Sequence, residues 1–467
     1  MDKRAVLAWL DEHETEFKDM AQKIWEKPET AFKEYFASTL QAEALRNAGF
    51  NVKQGLPGMP TAVVAEYGGG RPVIGILGEY DALPKLSQKV GTRREPVIKD
   101  GPGHGCGHNL LGTAGVAAAI AVKNAIEAGE LKGTVRYYGC PAEETLAGKV
   151  FMARLGVFND LDASLSWHPA SMNTVWGCSF LAMNSVMFRF SGVSAHAAAA
   201  PQLGRSALDG VELMNVGANY LREHVDEKAR IHYAITDGGG APNLVPAEAS
   251  VWYYVRAPKR AQVEEIYARL KKIAQGAAMM TETSVEEEIL AACYDVLPNQ
   301  ALGELLFENM QLVGGPKFSK EDRELAQELS CTLTQEQKEK VMKTYFAPPE
   351  VLSMVLHEGV VKNRDKGEVM AGSTDVGDVS YIVPFAQFTA ATWPVGTAAH
   401  SWQATAASGS GIGFCAMHFA AKVLAATVYD LLADDGTVLQ KAKAEFQEST
   451  GGKPYVSPLP PDVKPPA

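Results

Sequence analysis

GPGHGCGHNLLGTAG, residues 101–115, places His104, Cys106 and His108 at alternate positions of a glycine-rich loop, just ahead of an apolar, alanine-rich segment. Imidazole and thiolate are the donors that zinc prefers, and imidazole also accepts manganese and other divalent ions. The glycines let the backbone fold so that alternate side chains converge. The competing reading is a phosphate-binding loop, which needs Lys and Ser/Thr after the glycines; neither is present. The stretch therefore reads as part of a metal site at a loop-to-helix junction.

Outward from that junction the pattern is α/β. Residues 1–50 read as helices, beginning with an amphipathic helix over 1–20. Residues 61–67 (TAVVAEY) and 73–78 (VIGILG) read as strands, the second apolar enough to be covered on both faces. A helix over about 112–128 and a strand over 133–139 (GTVRYYG) follow. Strand–helix–strand order predicts a mixed, mostly parallel sheet with helices on both faces. DASLSWHP, 162–169, reads as a further strand carrying His168. The middle of the chain differs: NSVMFRFSG (184–192) and EASVWYYVRAP (248–258) alternate, helical patterns lie between and after them, and TSVEEEILAACY reads as another strand. This order resembles a small α+β, ferredoxin-like insert over 181–296, dividing a catalytic domain into 1–180 and 297–467. Residues 317–345 read as a charged helical excursion, and the Pro-rich tail from 450 as irregular.

Composition narrows the function. At 467 residues the chain is long enough for two domains. A net charge of −11 argues against nucleic acid, which needs a basic footprint. No apolar run reads as a membrane span, since Lys123 and Glu127 interrupt the alanine-rich segment. Six scattered cysteines fit reduced thiols in the cytoplasm.

Three further places could carry chemistry. PAEET follows the strand ending at 139, putting Glu143 and Glu144 at a strand's carboxyl end, where ligands gather in α/β sheets. Adjacent residues point differently, so one Glu can bind a metal while the other faces a water. His168 precedes Pro169 at the end of another strand. His400 lies in the small-residue loop GTAAHSW and can complete a shell of Cys106, His108, Glu144, His168 and His400. Five donors exceed one tetrahedral site and suit two metals about 3.5–4 Å apart. His13, His224, His232, His357 and His418 read as structural. In the insert stand His196 (SGVSAHAAAAP), Asn243 (PNLVP) and Arg256, whose guanidinium would suit a substrate carboxylate.

The combination GHGCGHN, PAEET, WHP, SAHAAAAPQLGRSALDGV, NLVP and GTAAHS resembles the M20 metallopeptidases, in particular the amidohydrolase-like branch with Cys-Gly-His in place of the Asp ligand motif. GEYDALP at 78–84 matches that branch's acidic strand-end motif. At 372–380, GSTDVGDVS stands where many members carry a Glu-Asp pair. The resemblance covers nearly the whole chain, and its motifs are specific jointly rather than singly. It implies two divalent ions, zinc or manganese, held by Cys106, His108, Glu144, His168 and His400. It implies Glu143 as general base and Asp81 as a carboxylate orienting a ligand. It implies that His196 reaches the site of the other subunit and holds the oxyanion, and that Asn243 and Arg256 hold a substrate carboxylate. His104 receives no role.

The implied activity is hydrolysis of a small N-acyl or N-aroyl amino acid, such as p-aminobenzoyl-glutamate, by a metal-activated water. The insert would serve dimerisation, giving a homodimer, a larger oligomer, or a hetero-oligomer with a paralogous subunit. A dipeptidase or aminopeptidase on the same site is the first rival. The second is a non-catalytic partner subunit, against which the retention of Cys106, His108, Glu143, Glu144, His168 and His400 argues. An N-acyl hydrolase needs an apolar or aromatic pocket, to which Trp167, Trp176 and Trp393 could contribute.

Overall fold

The computed structural model describes residues 1–362 and 364–466. In chain order the strands are β1 (Asn51–Leu56), β2 (Met59–Gly69), β3 (Val73–Glu79), β4 (Gly133–Cys140), β5 (Ala163–Ala170), β6 (Thr174–Trp176), β7 (Ser179–Phe180), β8 (Ala182–Ser191), β9 (Arg230–Asp237), β10 (Glu248–Ala257), β11 (Ser284–Cys293), β12 (Val369–Met370) and β13 (Phe385–Ala391). The large sheet has the order β1-β2-β4-β3-β5-β13-β6.

Its four central strands, β4-β3-β5-β13, run parallel. Both flanks are antiparallel: β1 with β2, β2 with β4, and β6 with β13. The sheet is mixed, as expected, but parallel pairing is confined to its centre. Strand β3 is buried along its whole length. Alternate side chains enter two separate cores: Ile74 and Ile76 meet the helical layer of Leu110, Val116 and Leu424, while Val73 and Leu77 meet Val150, Phe151 and Val376. Burial on both faces is why this strand reads as an unbroken apolar run.

Helix His108–Glu127 begins four residues before the expected start. Gly107, at φ +75°, ends the loop just ahead of it, so His108 opens the helix. The predicted first helix is two, Lys3–Glu12 and Glu14–Glu26, broken at His13. The membrane reading needs correction too. Helices His108–Glu127 and Gly411–Ala433 are, by length and composition, apolar enough to cross a membrane. Both are mostly buried and pack on one another over the sheet, as core helices do.

The second sheet, β11-β8-β10-β9, is antiparallel throughout. Helices Ala207–Leu221 and Arg260–Thr281 pack on it. Its core takes alternate residues, Val186, Phe188 and Phe190 from β8 and Val251, Tyr253 and Val255 from β10, which explains the period-two pattern in the sequence. The order is strand–helix–strand–strand–helix–strand. Beyond it, helices Lys320–Cys331 and Gln335–Thr344 form the charged excursion. The tail after Thr450 has no helix or strand among the described residues, although Leu459 is buried and the Tyr455 hydroxyl donates to Asp378 at 2.7 Å.

Candidate metal centre

Because β3, β4, β5 and β13 are parallel, their carboxyl ends share one edge of the sheet. Glu79 ends β3, the turn carrying Glu143 and Glu144 follows β4, His168 lies near the end of β5, and the chain after β13 leads to His400. The glycine loop closes over the same edge. Its fold demands the glycines: a Cβ on Gly103 would meet the Leu86 carbonyl oxygen at 2.0 Å. The His400 N–H donates to the Gly105 carbonyl at 2.9 Å, joining segments almost 300 residues apart in sequence. His400 itself has φ +59°, in the left-handed region, held by that bond.

All five expected ligands converge. Cys106 Sγ lies 3.5 Å from His168 Nε2, and His400 Nε2 lies 3.3 Å from Glu144 Oε2. The donor atoms of Cys106, His108 and His168 lie within 4.8 Å of one another, as do those of Cys106, Glu144 and His400. Cys106 belongs to both groups. A third group, Glu79, His108 and Glu143, shares His108 with the first.

The surroundings orient these donors. Asp81 Oδ1 lies 2.9 Å from His108 Nδ1, which directs His108 Nε2 into the cluster, and Asp81 Oδ2 accepts the Glu144 N–H at 2.8 Å. His168 Nδ1 lies 2.8 Å from the Pro169 carbonyl oxygen, leaving Nε2 toward Cys106. Such partners fix the tautomer and rotation of metal-binding histidines. Ala142 sits at φ +57° in the turn that presents Glu143. Its N–H donates to buried Glu34 at 2.9 Å.

The electrostatics call for cations. Glu34, Glu79, Asp81, Glu143, Glu144 and Asp375 have side chains at least nine-tenths buried, and the one buried ammonium among them is Lys149. Burial, with Glu79 and Asp375 nearby, raises the Glu143 carboxyl well above its usual range. Burial, opposed by His108 but reinforced by Asp81, raises Glu144 to about 8. Burial lowers His168 to about 4, keeping the imidazole neutral as a metal ligand requires. Glu79 Oε2, His108 Nε2 and Glu144 Oε1 are buried without a hydrogen-bond partner. Orphaned polar atoms of this kind are rare in protein interiors. Divalent cations would satisfy all three and offset the carboxylate charge, so the residues fit a metal centre.

The other expected site residues stand apart from this cluster. His196 and Asn243 are exposed on two loops of the small-sheet lobe, bridged by the Ala197 N–H donating to the Asn243 carbonyl at 3.0 Å. His196 Nδ1 accepts the N–H groups of Ala198 and Ala199, so Nε2 carries the proton of the neutral ring. Arg256 lies with its guanidinium 5.1 Å above the Tyr254 ring, and its Nε is buried without a partner. Among the described residues no hydrogen bond, ion pair or ring contact joins these three to the five ligands. His104 is buried beside the Ile24 carbonyl, and burial lowers it to about 3. Trp167, Trp176 and Trp393 are all buried, and the Trp176 ring lies 5.4 Å from that of His168.

Sequence reading did not single out Glu34, Glu79, Lys149 or Asp375. For Glu79 a signal existed, a lone acid closing an otherwise apolar strand. Lys149 Nζ donates to Glu79 Oε1 at 2.6 Å and to Asp375 Oδ1 at 2.7 Å, partners 70 and 226 residues away.

Residues 75–461 match the model of peptidase family M20/M25/M40. The chain is 44% identical to the B subunit of p-aminobenzoyl-glutamate hydrolase from Escherichia coli, over 96% of this chain and 95% of that protein. It is 29% identical to the Xaa-Arg dipeptidase of Mus musculus, over 95% and 92%. The fold resembles an aminobenzoyl-glutamate utilization protein from Klebsiella pneumoniae (TM-score 0.59, 19% identity, 88% of this chain and 97% of that one). It also resembles a dinuclear metal binding peptidase of the M20 family from Bacillus subtilis (TM-score 0.56, 17% identity, 89% and 98%).

Proposed function

The chain belongs to peptidase family M20/M25/M40 and is a metallo-amidohydrolase, and from that premise we propose that it hydrolyses N-aroyl amino acids of the p-aminobenzoyl-glutamate type. The observation that carries the reading is the pair of donor groups sharing Cys106, with Glu143 beside them. Cys106, His108, Glu144, His168 and His400 would hold two divalent ions, zinc or manganese. When bound, the ions supply Lewis-acid polarisation and lower the pKa of an attacking water.

The residues divide the remaining work. Glu143 takes a proton from the water as its oxygen joins the amide carbon, and returns it to the nitrogen as the C–N bond breaks, leaving a carboxylate and an amine. Asp81 keeps His108 oriented. The His196 Nε2–H donates to the oxyanion of a neighbouring subunit's substrate. Asn243 and Arg256 hold the substrate carboxylate, for which the unpartnered Arg256 Nε offers a donor. Trp176, beside His168, flanks the aroyl side.

This assignment makes residues 181–296 a ferredoxin-like dimerisation domain inserted between 1–180 and 297–467. Similarity to one component of a multi-subunit hydrolase supports assembly with a paralogous chain as well as with itself. Six free cysteines support a place in the cytoplasm. The dipeptidase reading is favoured by the mouse and human Xaa-Arg dipeptidase relatives. Assay of the zinc- and manganese-loaded chain on p-aminobenzoyl-glutamate and on an Xaa-Arg dipeptide separates the two. Turnover of the free-amine dipeptide with none of the aroyl substrate would overturn the proposal.

A further inference from the structure

We propose that Glu79 is a further metal ligand, joining Cys106, His108 and His168 in a set of four protein donors, and that Lys149 and Asp375 hold it in place. The inference rests on the two-ion reading above and concerns how unequal the two sites are.

Two atoms are decisive. Glu79 is 1% exposed, and its Oε2 lies 3.2 Å from His108 Nε2. His108 Nδ1 faces Asp81 Oδ1, so the opposite ring nitrogen, Nε2, is the atom turned toward Glu79 Oε2. Neither atom has a hydrogen-bond partner, although both are buried. A ring nitrogen and a carboxylate oxygen that face each other in this way form a pair of donors that one cation can meet. Glu143 Oε2, 3.9 Å from His108 Nε2, adds negative charge on the same side.

Glu79 is fixed from behind. Its Oε1 accepts from Lys149 Nζ at 2.6 Å, and Lys149 is tied to Asp375 through both its ammonium and its backbone N–H, at 2.7 and 2.8 Å. Lys149 and Asp375 are wholly buried. The carboxylate is thereby pinned by one oxygen and offers the other to the cluster, as hydrogen-bonding neighbours arrange for ligating carboxylates.

The consequence is asymmetry. With Glu79, one ion has four protein donors, the number that closes a structural site, while the Cys106, Glu144 and His400 group has three, the number that leaves a place for a reactant. His400, at 53% side-chain exposure, is the ligand open to solvent. The substrate would therefore meet the second ion, and the first would bind more tightly.

The test is zinc binding by equilibrium dialysis against a competing chelator, with circular dichroism as the control for folding. Glu79→Gln keeps charge balance behind the site, because Lys149 retains Asp375 and the amide oxygen still accepts its bond. The parent chain is expected to bind two ions with unequal affinity. The variant should lose more than about 100-fold in affinity for the tighter ion, beyond the 10–100-fold cost of removing a residue that merely orients a ligand. Two ions retained with a loss of about 100-fold or less would overturn the assignment. If Glu79→Gln does not fold, Glu79→Asp draws the carboxylate back by one methylene and must weaken the same ion; unchanged affinity would overturn it equally. A parent chain that binds fewer than two ions would instead overturn the two-ion reading beneath.

Discussion

The Glu34 carboxylate accepts the backbone N–H of Ala142 at 2.9 Å, tying a residue before the first strand to the turn that presents Glu143. The same carboxylate accepts the Phe32 N–H and the Thr61 hydroxyl, each at 2.8 Å. Burial, with Asp81 nearby, raises Glu34 to about 7. Its pKa is thus higher folded than unfolded, so its contribution to stability is fully present below about 4.5 and is lost as pH rises toward about 7. Glu34→Gln keeps an acceptor for Ala142 but removes the titration. In the metal-free chain, urea midpoints of the parent should fall more steeply between these pH values than those of the variant. The difference should be on the order of 1–3 kcal/mol. Parallel profiles would show that Glu34 does not titrate there.

Among the described residues the Glu143 carboxylate makes no hydrogen bond that builds the fold; it meets only the cluster. Glu143→Gln should retain both metal ions and lose about 10²–10⁴-fold in kcat, the usual share of a general base. Metal content by atomic emission and steady-state rates check this together. A variant that keeps its ions and turns over near the parent rate would remove Glu143 from the mechanism.

Metal removal should destabilise the protein as well as silence it, because Glu79, Asp81, Glu143 and Glu144 then face one another with Lys149 as their buried counter-ion. Chelation should lower Tm, and zinc or manganese should restore it in a concentration-dependent way. Free metal at 100 times Kd contributes about 2.7 kcal/mol per site. Cys106→Ala, which removes the donor common to two groups, should abolish that response. A Tm indifferent to metal would contradict the charge argument.

Lys149→Met leaves Glu79 and Asp375 buried without a cation. Breaking a buried ion pair from one side costs about 3–5 kcal/mol. Urea unfolding of the metal-free variant should register that loss. A loss under about 1 kcal/mol would mean that the triad is solvated, as exposed ion pairs are.

These positions show what could be read from the sequence and what could not. Cys106 and His108 stand in one loop, and Glu143, Glu144 and His168 each close or follow a strand read from the sequence, so a parallel sheet already implied that they meet; His400 joins them after β13, which the sequence reading did not include. Lys149 gives no such sign. In GKVF it looks like any helical lysine, and its burial is set by partners on β3 and on the segment around Asp375. Glu34 is equally silent, because its role comes from the positive φ at Ala142, a property of the turn it braces. A mixed sheet was expected, but its antiparallel flanks were not located: β1 and β6 were not read as strands, and pairing direction leaves no mark on β2. The early start of helix His108–Glu127 follows from Gly107, whose left-handed backbone ends the loop sooner than the apolar pattern suggests.

His196 supplies the sharpest test of assembly. It is exposed, and no contact among the described residues ties it to the ligands of its own chain. If it serves the neighbouring subunit, each site uses Glu143 from one chain and His196 from the other. Glu143→Ala and His196→Ala should each be nearly inactive alone. Unfolded together and refolded as a 1:1 mixture, half the dimers would be mixed, and one site in each mixed dimer would combine an intact Glu143 with an intact His196. The mixture should regain about one quarter of the parent activity in a two-fold symmetric dimer. If His196 acts within its own chain, every site in the mixture lacks one of the two residues and no activity returns. Native mass spectrometry of the mixture confirms that subunits have exchanged, so that a silent mixture containing mixed dimers would reject the trans arrangement.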